Sequence, residues 1–136
     1  MSKLIRVTAA IIERDGKILL AKRKKEDPLK GKWEFPGGKI EGNESPEDCL
    51  RRELHEELGI DVKVGEFFCS SAFAYEHIAV DLLVYRIASF TGDAKAYDHA
   101  ELAWVSPSDL RNYDLPEADK PIIAKLQGTG FLLHER

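Results

Sequence analysis

Cysteine is scarce in this 136-residue chain, and the spacing of Cys49 and Cys69 matches no metal-binding pattern. That excludes a disulfide scaffold and leads us to expect two reduced, semi-buried thiols in a cytoplasmic protein. Long apolar runs are missing as well. No stretch approaches the ~20 residues that span a bilayer, and the opening MSKLIRV lacks a signal-peptide core. Basic residues are not in surplus either, with 20 Lys and Arg against 24 Asp and Glu, a net charge of −4. A protein that coats nucleic acid needs spare cations to replace phosphate counterions, so that class is disfavoured. No repeat or low-complexity linker breaks the chain, and residues 1–136 are expected to form one domain. His55, His77, His99 and His134 make no ligand set, and no serine or cysteine nucleophile has an evident histidine partner. What remains is ordinary: 43% hydrophobic and 32% charged residues, enough to build a core without staples.

The unusual feature is RRELHEELG, Arg51 to Gly59, which places Glu53, Glu56 and Glu57 within five positions. Ser45 as N-cap, Pro46 in the first turn, Asp48 completing a capping-box pattern and Gly59 as a left-handed stop predict a helix between them. Leu50, Leu54 and Leu58 supply its apolar stripe. The three glutamates share one face beside that stripe, where like charges at helical spacing cost about 0.2–0.5 kcal/mol per exposed pair. Glu47 has Arg51, and Asp48 has Arg52, four residues on. Glu56 at best shares Arg52, while Glu53 and Glu57 have no basic partner at helical spacing. Something outside the helix must neutralise them, and a hard divalent cation with its preference for carboxylate oxygens is the economical answer.

Around this helix, LIRVTAAIIERDGKILLAKRK reads as a hairpin turning at Asp15-Gly16. A turn-rich segment, residues 25–44, leads into the helix. KVGEFFCSSAFAYEHIAVDLLVYRIASF reads as two strands broken near Glu76-His77 and LAWVS as a short strand. Ser106 or Ser108 is placed to cap a small turn, and EADKPIIAKLQG reads as a closing helix. Strands, one central helix, more strands and a terminal helix predict an α/β layered domain.

Gly38, Glu44, Arg52-Glu53-Leu54, Glu56-Glu57 and Gly59-Ile60 match the Nudix box without departure over 23 residues. WEFPGGKIE and PEADKPIIAKL resemble MutT-type enzymes, and AAIIERDGKILLAKR and HAELAWVSPSDL resemble the CTP and methyl-dCTP pyrophosphohydrolase branch. The resemblance implies an α/β/α sandwich with a central mixed sheet, and hydrolysis of a nucleoside triphosphate to monophosphate and pyrophosphate. It implies Mg²⁺, with Mn²⁺ able to substitute, on Glu53, Glu56, Glu57 and the Gly37 carbonyl. By the same resemblance Arg52 orients Glu53, and Glu44 acts through a water on the cation. A later loop carboxylate, as ligand or general base, is Asp98 or Glu101. For the nucleotide it implies Arg23, Phe35 and, more loosely, Tyr75, each with a plainer alternative: solvated basic patch for the run at Arg23, core filling for Phe35. Asp119 stands where oxidised-guanine-specific MutT enzymes carry asparagine. An ionised carboxylate only accepts hydrogen bonds, so it suits the amino group of cytosine and also the guanine edge. Its alternative is an N-cap for the closing helix.

The expected partner is therefore a small nucleotide, pyrimidine for choice and 8-oxo-dGTP as the alternative. No nucleic-acid polymer or membrane is expected, and the protein is expected to be a monomer or homodimer. A non-catalytic binding module is disfavoured by the intact box. Longer Nudix substrates such as ADP-ribose or capped RNA are disfavoured by the lack of extra N-terminal elements and basic surface.

Overall fold

The computed structural model describes residues 3–24 and 31–130. The elements run β1 (Lys3–Ile11), β2 (Glu13–Arg14), β3 (Lys17–Lys22), β4 (Trp33–Glu34), α1 (Pro46–Leu58), β5 (Asp61–Tyr75), β6 (Ile78–Thr91), β7 (Glu101–Val105) and α2 (Lys120–Lys125). None of the described helices is long and apolar enough to cross a membrane.

Local chemistry sets α1. The Ser45 hydroxyl accepts the Asp48 amide at 3.1 Å, Pro46 begins the first turn, and Gly59 closes the last at φ 71°, where a Cβ would be strained. Leu50, Leu54 and Leu58 are fully buried, each stabilising by about 1.5–3 kcal/mol relative to exposure.

The strands form two sheets. One has the order β1-β6-β5, with β1 parallel to β6 and β5 antiparallel to it, so it is mixed. The other contains β2, β3 and β4, with β7 also on β3. The expected break at Glu76-His77 and the short strand at LAWVS are both present. The N-terminal hairpin is much shorter than the sequence suggests. Its turn forms at Asp15-Gly16, but the ladder holds only Glu13↔Ile18 and Arg14↔Lys17, while β1 pairs along its length with β6. Ala9 to Ile12 are buried without alternation, the signature of a strand covered on both faces rather than a half-exposed hairpin arm.

Two apolar clusters flank these strands. Ala10, Ile12 and Leu19 pack with the α1 leucines and Ile60. Ala9, Ile11, Ile18 and Leu20 pack on the other side with Ile122, Ile123 and Leu126. The period-two alternation of β1 and β3 thus splits each strand between two helical layers, producing the α/β/α arrangement.

The closing helix is broken into a 3₁₀ turn (Glu117–Asp119), α2, and a π turn (Leu126–Gly130). Asp119 has helical backbone angles and makes no side-chain cap bond. It is therefore not the N-cap considered above. Ser106 occupies the cap position of another 3₁₀ turn, Pro107–Asn112, also without a side-chain bond.

Candidate active site

The turn-rich segment before α1 runs along the edge of β1. Ala10 N–H donates to Pro36 O (2.7 Å), Thr8 N–H to Gly38 O (2.8 Å), and Ile40 N–H to Arg6 O (3.0 Å). The Thr8 hydroxyl also donates to Gly38 O at 3.1 Å, and the buried Cys49 thiol lies 3.4 Å from that hydroxyl. The close approach needs glycine twice. A Cβ on Gly37 would lie 2.1 Å from Thr8 O, and one on Gly38 would lie 2.4 Å from the Glu53 carboxylate.

A cavity of about 700 Å³ opens beside this segment. Of the candidates from the sequence, it brings together Gly37, Glu53, Glu57, Asp98, Arg23, Phe35 and Asp119. Lys24 and Lys39 also line it, although Lys24 reads in the sequence as solvated. Phe35 sits in the core at 3% exposure and also lines the cavity. The side chain of Tyr75 lies outside the described residues, as does Lys25 of the basic run.

Glu56 and Glu44 do not line the cavity. Glu56 is exposed, with its carboxylate 3.7 Å from Arg52 Nη1. Both Glu44 oxygens are taken by Arg52, from Nε at 2.6 Å and Nη2 at 2.9 Å. Hydrogen bonding to Arg52, then to the Glu41 amide, holds the Glu44 carboxyl down at about 2. Arg52 Nη1 donates to Glu53 Oε1 at 2.6 Å, which fixes that carboxylate. With Arg52 so occupied, Asp48 takes Arg51 instead of the Arg52 that the spacing suggested.

Glu57 is the electrostatic anomaly. Burial first, then its hydrogen bond with Glu53 and the charges of Glu53, Glu34 and Asp98, push its carboxyl up to about 9. Its Oε1 is buried without a hydrogen-bond partner among the described residues. A carboxyl oxygen left unpaired among other carboxylates is the environment that a divalent cation relieves, so the donor set fits a hard cation. The acidic groups facing the cavity also include Glu34, which the sequence reading missed. Glu34, Glu57 and His99 each offer a ligand atom, all within 4.8 Å of one another. These three come from β4, α1 and the loop before β7, so no local spacing could have joined them; the sequence signal for Glu34 and His99 was only their adjacency to Phe35 and Asp98.

The loop carboxylate can be separated by position. Asp98 lines the cavity, whereas Glu101 is exposed in β7 opposite Lys22. Asp98→Asn is expected to lower kcat/KM by roughly tenfold or more and Glu101→Gln by less than about twofold, read in steady-state assays. A larger loss in Glu101→Gln than in Asp98→Asn would give the role to Glu101.

Asp119 is 7% exposed, and burial, with the charge of Glu34 acting against that of Arg23, pushes its carboxyl up to about 7. Arg23 Nη2 bridges to Glu34 Oε1 at 2.8 Å. The cavity therefore combines an apolar wall at Phe35 with charged groups of both signs.

Residues 7–125 match the family model described as NUDIX domain. The CTP pyrophosphohydrolase of Escherichia coli K12 is 45% identical over 121 residues, 89% of this chain and 90% of that protein. The putative 8-oxo-dGTP diphosphatase 2 of Mycobacterium tuberculosis is 35% identical over 130 residues, 90% of this chain and 88% of that protein. The solution structure of the E. coli ORF135 protein superposes with a TM-score of 0.84 at 42% identity, covering 93% of this chain and 91% of the other. An intact box, a glycine segment built against Glu53 and these similarities over nearly the whole length establish that the chain belongs to the Nudix hydrolase family.

Proposed function

We propose that the protein is a Mg²⁺-dependent nucleoside triphosphate pyrophosphohydrolase, with Mn²⁺ able to substitute. It converts a (d)NTP and water to the (d)NMP and pyrophosphate, favouring CTP, dCTP or a modified dCTP. Glu53, Glu57, Asp98 and the Gly37 carbonyl would hold the cation. When bound, it would offset the triphosphate's charge and make a water more acidic. Arg52 orients Glu53; Lys24 and Lys39 offer positive charge to the phosphates, and Arg23, paired with Glu34, borders the base. The Gly37–Gly38 segment and Phe35 border the space that the nucleotide would fill. Glu56 and Glu44 support the cluster from outside through Arg52.

The observation that carries the pyrimidine reading is Asp119, a buried carboxyl facing the cavity with no capping role. An acceptor there suits an exocyclic amino group. The similarity to a protein named for CTP points the same way. The second reading, an 8-oxo-dGTP diphosphatase, is favoured by the relative named for that activity. A panel of (d)NTPs with Mg²⁺, including 8-oxo-dGTP and 5-methyl-dCTP and assayed for pyrophosphate, is expected to show CTP-type substrates ahead. No turnover across the panel would overturn the proposal.

Asp119→Asn tests the base contact. The residue caps nothing, so the melting temperature is expected to hold. The substitution replaces one acceptor with a donor, and the CTP-to-8-oxo-dGTP ratio of kcat/KM is expected to fall by roughly 1–3 kcal/mol in free-energy terms. An unchanged ratio would remove Asp119 from the base site.

A further inference from the structure

Across the cavity floor, two carboxylates from different elements converge on one imidazole. His99 Nε2 lies 2.7 Å from Glu34 Oε2 and 4.0 Å from Glu57 Oε1, with the ring side chain 5% exposed. Glu34 is held at both oxygens by different donors, Arg23 at Oε1 and His99 at Oε2. A carboxylate gripped at both oxygens cannot turn about its terminal torsion without losing a bond. His99 Nδ1 is buried with no partner among the described residues, so the tautomer carrying hydrogen on Nε2 fits, and that hydrogen points at Glu34.

The loop that delivers the imidazole is fastened on two sides. Lys95 N–H donates to Leu58 O (3.0 Å) and Tyr97 N–H to Glu57 O (3.1 Å), tying it to the end of α1. Ala100 N–H donates to Lys22 O (2.9 Å), tying it to the end of β3 beside Arg23. His99 is thus placed by the same backbone that carries Asp98, and it stands between the cation cluster and the Arg23–Glu34–Asp119 side.

We propose that His99 is a positioning residue: it fixes the Glu34 carboxylate against Arg23 on the base side of the cavity and keeps it from joining Glu57 in the cation cluster. This rests on the nucleotide reading above and extends it to the selection of the base. His99 then acts on base discrimination through Glu34 and is not itself a cation ligand.

The test is a double-mutant cycle of His99→Phe and Glu34→Gln, with His99→Gln as a variant that retains an N–H donor. The first readout is the ratio of kcat/KM for CTP over GTP. His99→Phe is expected to lower it by about fivefold to tenfold, His99→Gln to restore most of it, and His99→Phe in the Glu34→Gln background to change it by less than about twofold. The second readout is Mn²⁺ affinity by electron paramagnetic resonance without nucleotide, expected to stay within about threefold in His99→Phe. Additive effects on the ratio, or an unchanged ratio in His99→Phe, would overturn the proposal. So would a loss of Mn²⁺ affinity of about tenfold or more, which would make His99 a ligand. If the wild type hydrolyses no nucleoside triphosphate, the proposed function falls. The cycle is then read on calorimetric binding of CMP and GMP, where the same non-additivity is expected and its absence, or no binding at all, overturns the positioning role too.

Discussion

Glu57→Gln and Glu53→Gln are each expected to cut kcat by at least about 10²–10³, because each removes charge from the group that holds the cation. Their effects on stability should be nearly opposite to what loss of activity suggests. In the metal-free protein burial and the neighbouring carboxylates push the Glu57 carboxyl from an ordinary 4.5 up to about 9. Folding therefore takes up a proton at any pH between those values. By linkage, the contribution of this group to stability is greatest below the unfolded pKa and is lost as pH rises through the folded one. Glu57→Gln lacks the titration, so its metal-free melting temperature should equal or exceed wild type at pH 8 and depend less on pH. Mg²⁺ should raise the melting temperature of wild type more than that of either variant. Thermal scans in EDTA and in Mg²⁺ from pH 6 to 9 check all of this. Clear destabilisation in EDTA by both substitutions would make the carboxylates structural.

The adjacent glycines are expected to fail in different ways. A Cβ on Gly37 would meet the Thr8 carbonyl at 2.1 Å, a backbone atom inside a hydrogen-bonded edge. Neither side can yield, so Gly37→Ala should lose roughly 1–3 kcal/mol of stability or more, together with activity. A Cβ on Gly38 would meet the Glu53 carboxylate at 2.4 Å, and a side chain can swing away. Gly38→Ala should therefore fold with a melting temperature close to wild type while losing roughly 10²-fold or more in kcat/KM, because Glu53 is driven off its hydrogen bond to Arg52. Chemical denaturation beside steady-state kinetics separates the two. A Gly38→Ala enzyme of normal activity would mean that Glu53 does not need this orientation.

How much of this was legible in the sequence follows from the range of the forces involved. The central helix was readable to the residue because Ser45, Pro46 and Gly59 act on their own neighbours. The gathering of Glu53 and Glu57 on one face followed from helical period alone. The pairing of β1 was not readable, because Asp15-Gly16 advertises a local hairpin while the backbone of β1 pairs with β6, far along the chain. Asp48 and Arg52 looked like partners by spacing, yet Glu44 outside the helix has the better bidentate geometry and takes the arginine. Asp119 looked equally like a cap, and only its backbone angles and missing cap bond decide otherwise. Glu34 escaped notice, and His99 was set aside as part of no ligand set, because their importance lies in a meeting of three elements.

The attachment of the glycine segment to β1 also bears on how the protein is made. The α1 helix carries its own start and stop signals and can begin to form from a short stretch of chain. Gly38, by contrast, is held by Thr8, and the strand containing Thr8 is held by β6, whose last residue is Thr91. Asp98 and Asp119 emerge from the ribosome later still. Closing β1 against β6 means paying the entropy of a long loop before any contact rewards it. A nascent chain long enough to display the three glutamates thus has a helix but no strand edge to set Gly38 against Glu53. The acidic face exists early as a set of charges, and becomes a site only once synthesis has passed β6, Asp98 and Asp119.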